Sequence, residues 1–440
     1  MTTLDRNQAP KTKAMVANRT ALVASLDIGT SKIACMIARL KPCAPNEALR
    51  GRSHAVELIG YSQIQSRGVK SGAVVDLVEC EQAVRQAVAL AEKMAKVRVE
   101  SVLLSVSAGR LQGQLIEACA DIKGGAVTEA DVSRITSAGM RHATPPGRTV
   151  LHALPVGYAL DGVKGIRDPR GMVARQFGVD MNVVTADATV AKNLMLVVER
   201  CHLNVEAMAA SPYVAGLAVL TDDETDLGAA VVEMGAGTTT MAIYSGGRFV
   251  HASGFAVGGQ HITMDLARGL GATIADAERI KTLYGTVLTG GSDSRELMSV
   301  PSAGDDDRDS PQVVSRATIA NIVRQRAEEI FEMVRDRLAD SPFAAEPRAR
   351  VVLSGGASQL TGLAELGSQI LGRPVRIGRP LGFGRLPSEA KSASFAVPAG
   401  LLVYPQFAHL EHVEPRHTRQ LRTGTDGYFG KVGRWLREGF

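Results

Sequence analysis

An acidic residue at the end of an apolar run, then one residue later a glycine followed by hydroxyl side chains, can hold a metal-bound polyphosphate. Asp27-Ile28-Gly29-Thr30-Ser31-Lys32 has this form. A glycine turn brings backbone N–H groups close to phosphate oxygens because no Cβ intervenes. Gly29, Thr30 and Ser31 would face the β- and γ-phosphates, Lys32 would offset their charge, and Asp27 would hold Mg2+ through its water shell. Alone, this tetrapeptide pattern also fits a plain tight hairpin. A second copy follows about two hundred residues on, as Glu233-Met234-Gly235-Ala236-Gly237-Thr238-Thr239-Thr240. Gly235, Ala236, Gly237, Thr238 and Thr239 would clamp the other side of the polyphosphate. Asp27 and Glu233 are thus the candidate catalytic residues, positioning metal and water.

Both turns need strands to hold them. Apolar runs at residues 23–26 and 33–37 flank the first, and runs at 229–232 and 241–244 flank the second, so two hairpins of one kind are predicted. A third element, Val351-Val352-Leu353 followed by Ser354-Gly355-Gly356-Ala357-Ser358, reads as strand, glycine turn and helix; Gly355, Gly356 and Ala357 could carry an adenosine. Helical spacing over residues 269–284 places Glu278 and Lys281 on one face at i and i+3, an intrahelical ion pair on the plainest account.

Residues 77–95, 186–200 and 319–334 have helical apolar spacing, and 101–107 has the composition of a buried strand. Residues 106–185 behave as a module of their own, with a helix announced by Thr128 and Asp131 at capping-box spacing and strand-like runs near 150–158 and 179–184. Residues 285–311 are rich in Gly, Ser and Asp and carry Asp305-Asp306-Asp307, the signature of a solvated loop. After Tyr404 the apolar pattern fades into a polar linker, whose His409, His412 and His417 lack metal-ligand spacing.

Composition narrows the function classes. With 440 residues, 45% hydrophobic and 22% charged, the chain can build two α/β domains without staples. A net charge of +5 spread along the chain, with 4% aromatics, argues against a nucleic-acid partner. Five widely spaced cysteines without a C-x-x-C pair form neither a disulfide framework nor a zinc site. The first twenty residues are polar and mildly basic with no apolar core, and read as a disordered tail; no run is long enough to span a bilayer.

The ordered set LDIGTSK (26–32), SRGV (66–69), RTVLHALP (148–155), VERCHLNV (198–205), GGQHIT (258–263), DAERIKTLYG (276–285), VVLSGGASQLTGL (351–363) and PVRIG (374–378) resembles the FtsA family of bacterial cell-division proteins, within the actin, sugar-kinase and heat-shock chaperone superfamily. The resemblance implies an α/β, actin-like (ribonuclease H-like) pair of domains around an ATP and Mg2+ cleft, with Gly258, Gly259, Glu278 and Lys281 joining the nucleotide site. Its implied layout is a first domain at 21–105 and 186–220, a division-specific insertion at 106–185, and a second domain at 221–404 with a flanking subdomain at about 258–345. A linker at 405–428 and a terminal helix at 429–440 would follow. The implied partners are FtsZ through its C-terminal tail peptide, docking near residues 285–337, further copies of the chain, and later division proteins of the membrane. Two departures bear on activity. Glu233 stands where the superfamily has Asp, and Thr240 stands where a second acid is usual; Ala210-Ser211-Pro212 also lacks the acid of chaperone-like members. ATP binding with slow or negligible hydrolysis is the expectation.

At 100° per residue, Phe429, Val432, Trp435, Leu436 and Phe440 form one arc of a helix, and Lys431, Arg434, Arg437 and Glu438 the opposite one. Cations around a tryptophan suit anionic lipid headgroups, so this segment reads as a peripheral membrane anchor, and the family resemblance implies the inner face of the cytoplasmic membrane at the septum. Burying such an arc yields roughly 6 to 12 kcal/mol gross, and ordering a dozen residues costs a comparable amount. One tail therefore binds weakly, and polymerisation multiplies the avidity. A sugar or acetate kinase of the same fold would need an acid serving as base toward a hydroxyl substrate, and none stands out. A chaperone-like ATPase would need a peptide-binding domain. Neither alternative has a use for the terminal helix.

Overall fold

The structure, a computed structural model, describes residues 8–12, 15–16, 18–43, 49, 51–122, 125–288, 290, 296–300, 312–346, 348–384 and 386–411. The expected terminal helix at 429–440 and the Asp305-Asp306-Asp307 run lie outside them.

Two sheets organise the chain. The first has five strands in the order Asn204–Ala210, Ser101–Val106, Ala21–Ile28, Lys32–Pro42 and His54–Gln65. Its core strands are near-continuous Val, Ile, Leu and Ala runs because both faces are covered. The helix Leu77–Ala95 lies on it, capped at its N-terminus by the Asp76 carboxylate accepting from Val78 and Glu79 N–H groups, with Cys80, Val84, Ala87 and Ala91 turned inward. Helix Ala188–Arg200 begins on a similar Asp187 cap.

A nine-stranded sheet carries the rest. Its order is Val375–Ile377, Arg350–Ser354, Ala229–Met234, Thr239–Ser245, Arg248–Phe255, Gln112–Asp121, Gln176–Asp187, Arg148–Leu160 and Val163–Ile166. The last four strands belong to the insertion, and they join the second domain's sheet through the pair Ser253 and Gln112. Helix Glu129–Ala143, with the Thr128/Asp131 capping box, covers a separate small core that includes Ile135, Phe177 and Met181.

Several segments differ from expectation. The helix read at 269–284 is two helices, Gly259–Leu270 and Ile274–Tyr284, because Gly271 adopts a left-handed conformation (φ +58°) and ends the first. The stretch 285–311 contains the strand Leu297–Val300, paired with Gln312–Ser315. Helix Ala396–Val403 packs on Ser211–Val219 and on strands Ala21–Ile28, Lys32–Pro42 and Ser101–Val106 of the five-stranded sheet. Residues 8–12 are packed, with Ala9 in the core and its N–H on Val150 O at 3.0 Å. Residues 404–411 are packed as well, and Glu411 is buried. Local composition hid both because the partners that bury them lie far away in the chain. Among the described residues, no helix is long and apolar enough to cross a membrane, no cluster of metal-ligating side chains occurs, and the five cysteines are unpaired with one another.

Candidate nucleotide site

The two acid-x-Gly turns are built alike. In the first hairpin Asp27 pairs with Ala34 and Ile28 with Ile33, and Gly29 N–H closes the turn on Lys32 O at 3.0 Å. In the second, Glu233 pairs with Thr240 and Met234 with Thr239, and Gly235 N–H closes on Thr238 O at 2.9 Å. A side chain would clash with backbone at the first position and be tight at the second. A Cβ on Gly29 would stand 2.9 Å from Lys32 O, and one on Gly235 3.1 Å from Thr238 O.

These turns, far apart in sequence, meet. A Cβ on Gly237 would fall 2.5 Å from Thr30 Oγ1 and 2.8 Å from Ser71 Cα. Thr30 Oγ1 in turn accepts from Gly72 N–H at 2.9 Å. The hairpin Val69–Lys70 and Ala73–Val74 thus places its Ser71-Gly72 tip where the turns touch. The tip was not legible beforehand, since SRGVKSG carries no charge pattern or period. Ser31 is exposed, and its carbonyl accepts from Ser66 N–H.

Asp27, Lys32 and Glu233 form one electrostatic unit. Burial holds the Asp27 carboxyl above its usual range, opposed by the Ser105 hydroxyl, which donates to Oδ1 at 2.5 Å, and by the Lys32 charge. Glu233 is pushed up to about 8, first by burial and then by Asp27; Thr240 Oγ1, 3.2 Å from its Oε2, and Lys32 act the other way. Burial lowers Lys32 to about 8 against the pull of both acids. Its ammonium donates to Ser394 O at 2.5 Å and sits over the Phe395 ring, 4.5 Å from the centroid. Lys32, expected to offset phosphate charge, is here hydrogen-bonded to the returning chain. Two carboxyls that resist ionisation together would be stabilised by an added cation, and Asp27 and Glu233 are the residues that would hold Mg2+ through water.

Gly258 and Gly259 do not offer free N–H groups. Gly258 N–H lies on His261 Nδ1 at 3.2 Å, and Gly259 and Gln260 N–H donate to Gly235 O and Ala236 O at 2.9 and 2.7 Å. A Cβ on Gly258 would approach Gly235 O to 2.5 Å. These residues stitch a helix to the back of the second turn and position it. Thr238 and Thr239 are buried, and Thr239 Oγ1 donates to Val257 O at 2.8 Å, so they brace the turn.

Glu278 and Lys281 pair at 2.7 Å as the spacing required. They converge with Thr263, whose hydroxyl donates to Glu278 at 2.5 Å and accepts from Lys281 at 2.8 Å, while Lys281 also reaches Gly259 O at 3.1 Å. Thr263 went unnoticed in sequence because a threonine in a helix carries no signal of its own. Gly355 has φ +86°, and a Cβ there would stand 2.4 Å from Met234 O and 2.8 Å from Glu233 Oε1. Gly356 faces open space, and a Cβ on Gly259 would touch Ala357. The structure therefore gathers both turns, the 258–259 segment and the 355–357 segment around one locus. Two hydroxyls near it, Ser211 Oγ and Ser354 Oγ, are buried without a hydrogen-bond partner.

Comparison with known proteins agrees with this architecture. A family model described as cell division protein FtsA matches residues 230–400, and one described as the SHS2 domain inserted in FtsA matches residues 108–185. The chain is 46% identical over 432 residues to cell division protein FtsA of Agrobacterium fabrum, covering 98% of each. It is 32% identical over 420 residues to that of Neisseria meningitidis serogroup B, covering 95% of this chain and 98% of the relative. Among solved structures it superposes on a PilM–PilN type IV pilus biogenesis complex (TM-score 0.60, 16% identity, 87% of this chain and 98% of that one). It also matches MreB5 of Spiroplasma citri bound to ADP (TM-score 0.51, 14% identity, 88% and 97%). With an actin-like α/β fold, an SHS2 insertion and relatives at this identity over nearly its full length, the chain belongs to the FtsA family of cell-division proteins.

Proposed function

We propose that this FtsA-family chain binds ATP with Mg2+ between its two acid-x-Gly turns and that the bound state favours assembly with copies of itself. The observation that carries this is the meeting of Thr30 and Gly237 beside the buried pair Asp27 and Glu233. The glycine turns of two sheets meet there, with the two acid groups beside them. Hydrolysis is slow or negligible in this account. Thr240 spends its hydroxyl on Glu233, and Ser211 cannot take a proton from water as a carboxylate does.

The assembled form sits on the inner face of the cytoplasmic membrane at the septum, held by the amphipathic segment 429–440 on anionic lipid. There it anchors FtsZ through that protein's C-terminal tail peptide, while the insertion takes part in polymer contacts and in recruiting later division proteins. The family membership and the weak single-tail anchor support this arrangement.

Titrating the full-length protein with a fluorescent ATP analogue, with and without Mg2+, tests the cleft. Saturable binding strengthened by Mg2+ is expected. Absence of binding at millimolar nucleotide overturns the proposal.

A further inference from the structure

We propose that His152, fixed in one tautomer by Glu411 and the Ala210 N–H, is a positioning residue that holds the cleft end of strand Asn204–Ala210 and couples it to the root of the C-terminal segment. Its functional half rests on the nucleotide-site proposal above.

The three side chains come from distant parts of the chain and are all buried. The Lys11 ammonium donates to Leu151 O and to Glu411 Oε2, and lies 3.3 Å from the Tyr404 hydroxyl and from His152 Nδ1. Ala210 N–H donates to His152 Nε2 at 2.8 Å. A nitrogen that accepts bears no proton, so the imidazole proton sits on Nδ1, where it donates to Glu411 Oε1 at 2.8 Å. Tyr213 and Tyr404 stand edge-on to the ring, with centroids at 4.7 and 5.9 Å, and leave it one orientation. The N-terminal segment closes the joint from outside, its Pro10 carbonyl accepting from Met208 N–H at 3.0 Å.

Ala210 is the N-cap of helix Ser211–Val219 and has no side-chain cap, so His152 sets the direction of its peptide. It is in register with Val106, next to the Ser105 that donates to Asp27. A hydrogen-bonded path thus runs from Glu411 through His152 to Ala210, one strand from the acid pair. Sequence beyond Glu411 leads to the amphipathic segment. A buried charge pair often stabilises no more than an apolar substitute of equal volume, and in this proposal its use is to specify one arrangement.

The test uses the full-length protein, Lys11→Met and Glu411→Gln. Hydrogen exchange over residues 204–219 is read alongside titration with the fluorescent ATP analogue and Mg2+ between pH 8 and 6. Burial and the Lys11 charge keep His152 neutral, at about 4, in the parent. Without Lys11 the ring protonates more readily, and a protonated Nε2 cannot accept from Ala210. Lys11→Met is expected to speed exchange at Ala210 and to weaken analogue binding at least about five-fold, more at pH 6 than at pH 8. Glu411→Gln, whose amide oxygen still accepts from Nδ1–H, is expected to change both less. Unchanged exchange at Ala210 in both variants overturns the inference, as does equal affinity at every pH. A parent that binds no analogue overturns the nucleotide-site proposal instead, and the exchange result still decides whether His152 positions Ala210.

Discussion

Thr30 and Gly237 belong to hairpins of different sheets, yet the Thr30 hydroxyl stands 2.5 Å from the point a Cβ on Gly237 would occupy. Their contact makes one site of two turns, and it also limits what position 237 can hold. Gly237→Val must push Thr30 aside and displace the Ser71 backbone, at a cost of roughly 1–3 kcal/mol. Nucleotide affinity is expected to fall at least about ten-fold, checked by titration with a fluorescent ATP analogue. Parent-like affinity would mean that phosphate does not lie between these turns.

Gly355 and Gly356 are neighbours with opposite tolerances. Gly355→Ala meets a left-handed φ and a carbonyl at 2.4 Å, and is expected to lose roughly 2–4 kcal/mol. Gly356→Ala meets nothing within 4 Å and is expected to stay within about 1 kcal/mol of the parent. Urea denaturation of the two variants checks the contrast.

Glu233 links stability to pH in a defined direction. Its folded carboxyl is raised from the ordinary value near 4.5 to about 8, so between these values the folded state binds the proton and the unfolded state does not. Its contribution is present below 4.5 and is lost as pH rises through 8. Glu233→Gln keeps a neutral group throughout. In the absence of nucleotide it is expected to raise Tm at pH 9 by at least about 1 °C, the effect of roughly 1 kcal/mol in a chain of this size. Thermal scans of both proteins from pH 5 to pH 9 check this, and parallel curves would contradict it.

Much of this site could be read before the structure because its signals are local. Asp27 with Gly29, and Glu233 with Gly235, repeat a strand-turn-strand pattern that needs no tertiary knowledge, and Thr128 with Asp131 announces its helix by cap chemistry. What escaped depends on distance in the chain. Lys11 looks like a solvated tail residue until Glu411 is placed beside it, and Lys32 looks free for phosphate until Ser394 and Phe395 return to cover it. The strand Leu297–Val300 escaped because four residues give alternation too little room to register. Helix Gly259–Leu270 was obscured by its two leading glycines, although Ile262, Leu266 and Leu270 repeat at helical spacing.

Nucleotide-dependent assembly would multiply a weak lipid anchor, and co-sedimentation with anionic liposomes measures this. Full-length protein and Trp435→Glu would each be spun with liposomes, with and without ATP and Mg2+. ATP is expected to increase the bound fraction of the parent several-fold, while Trp435→Glu stays in the supernatant in both conditions. Equal binding by the variant, or binding of the parent indifferent to ATP, would contradict the account.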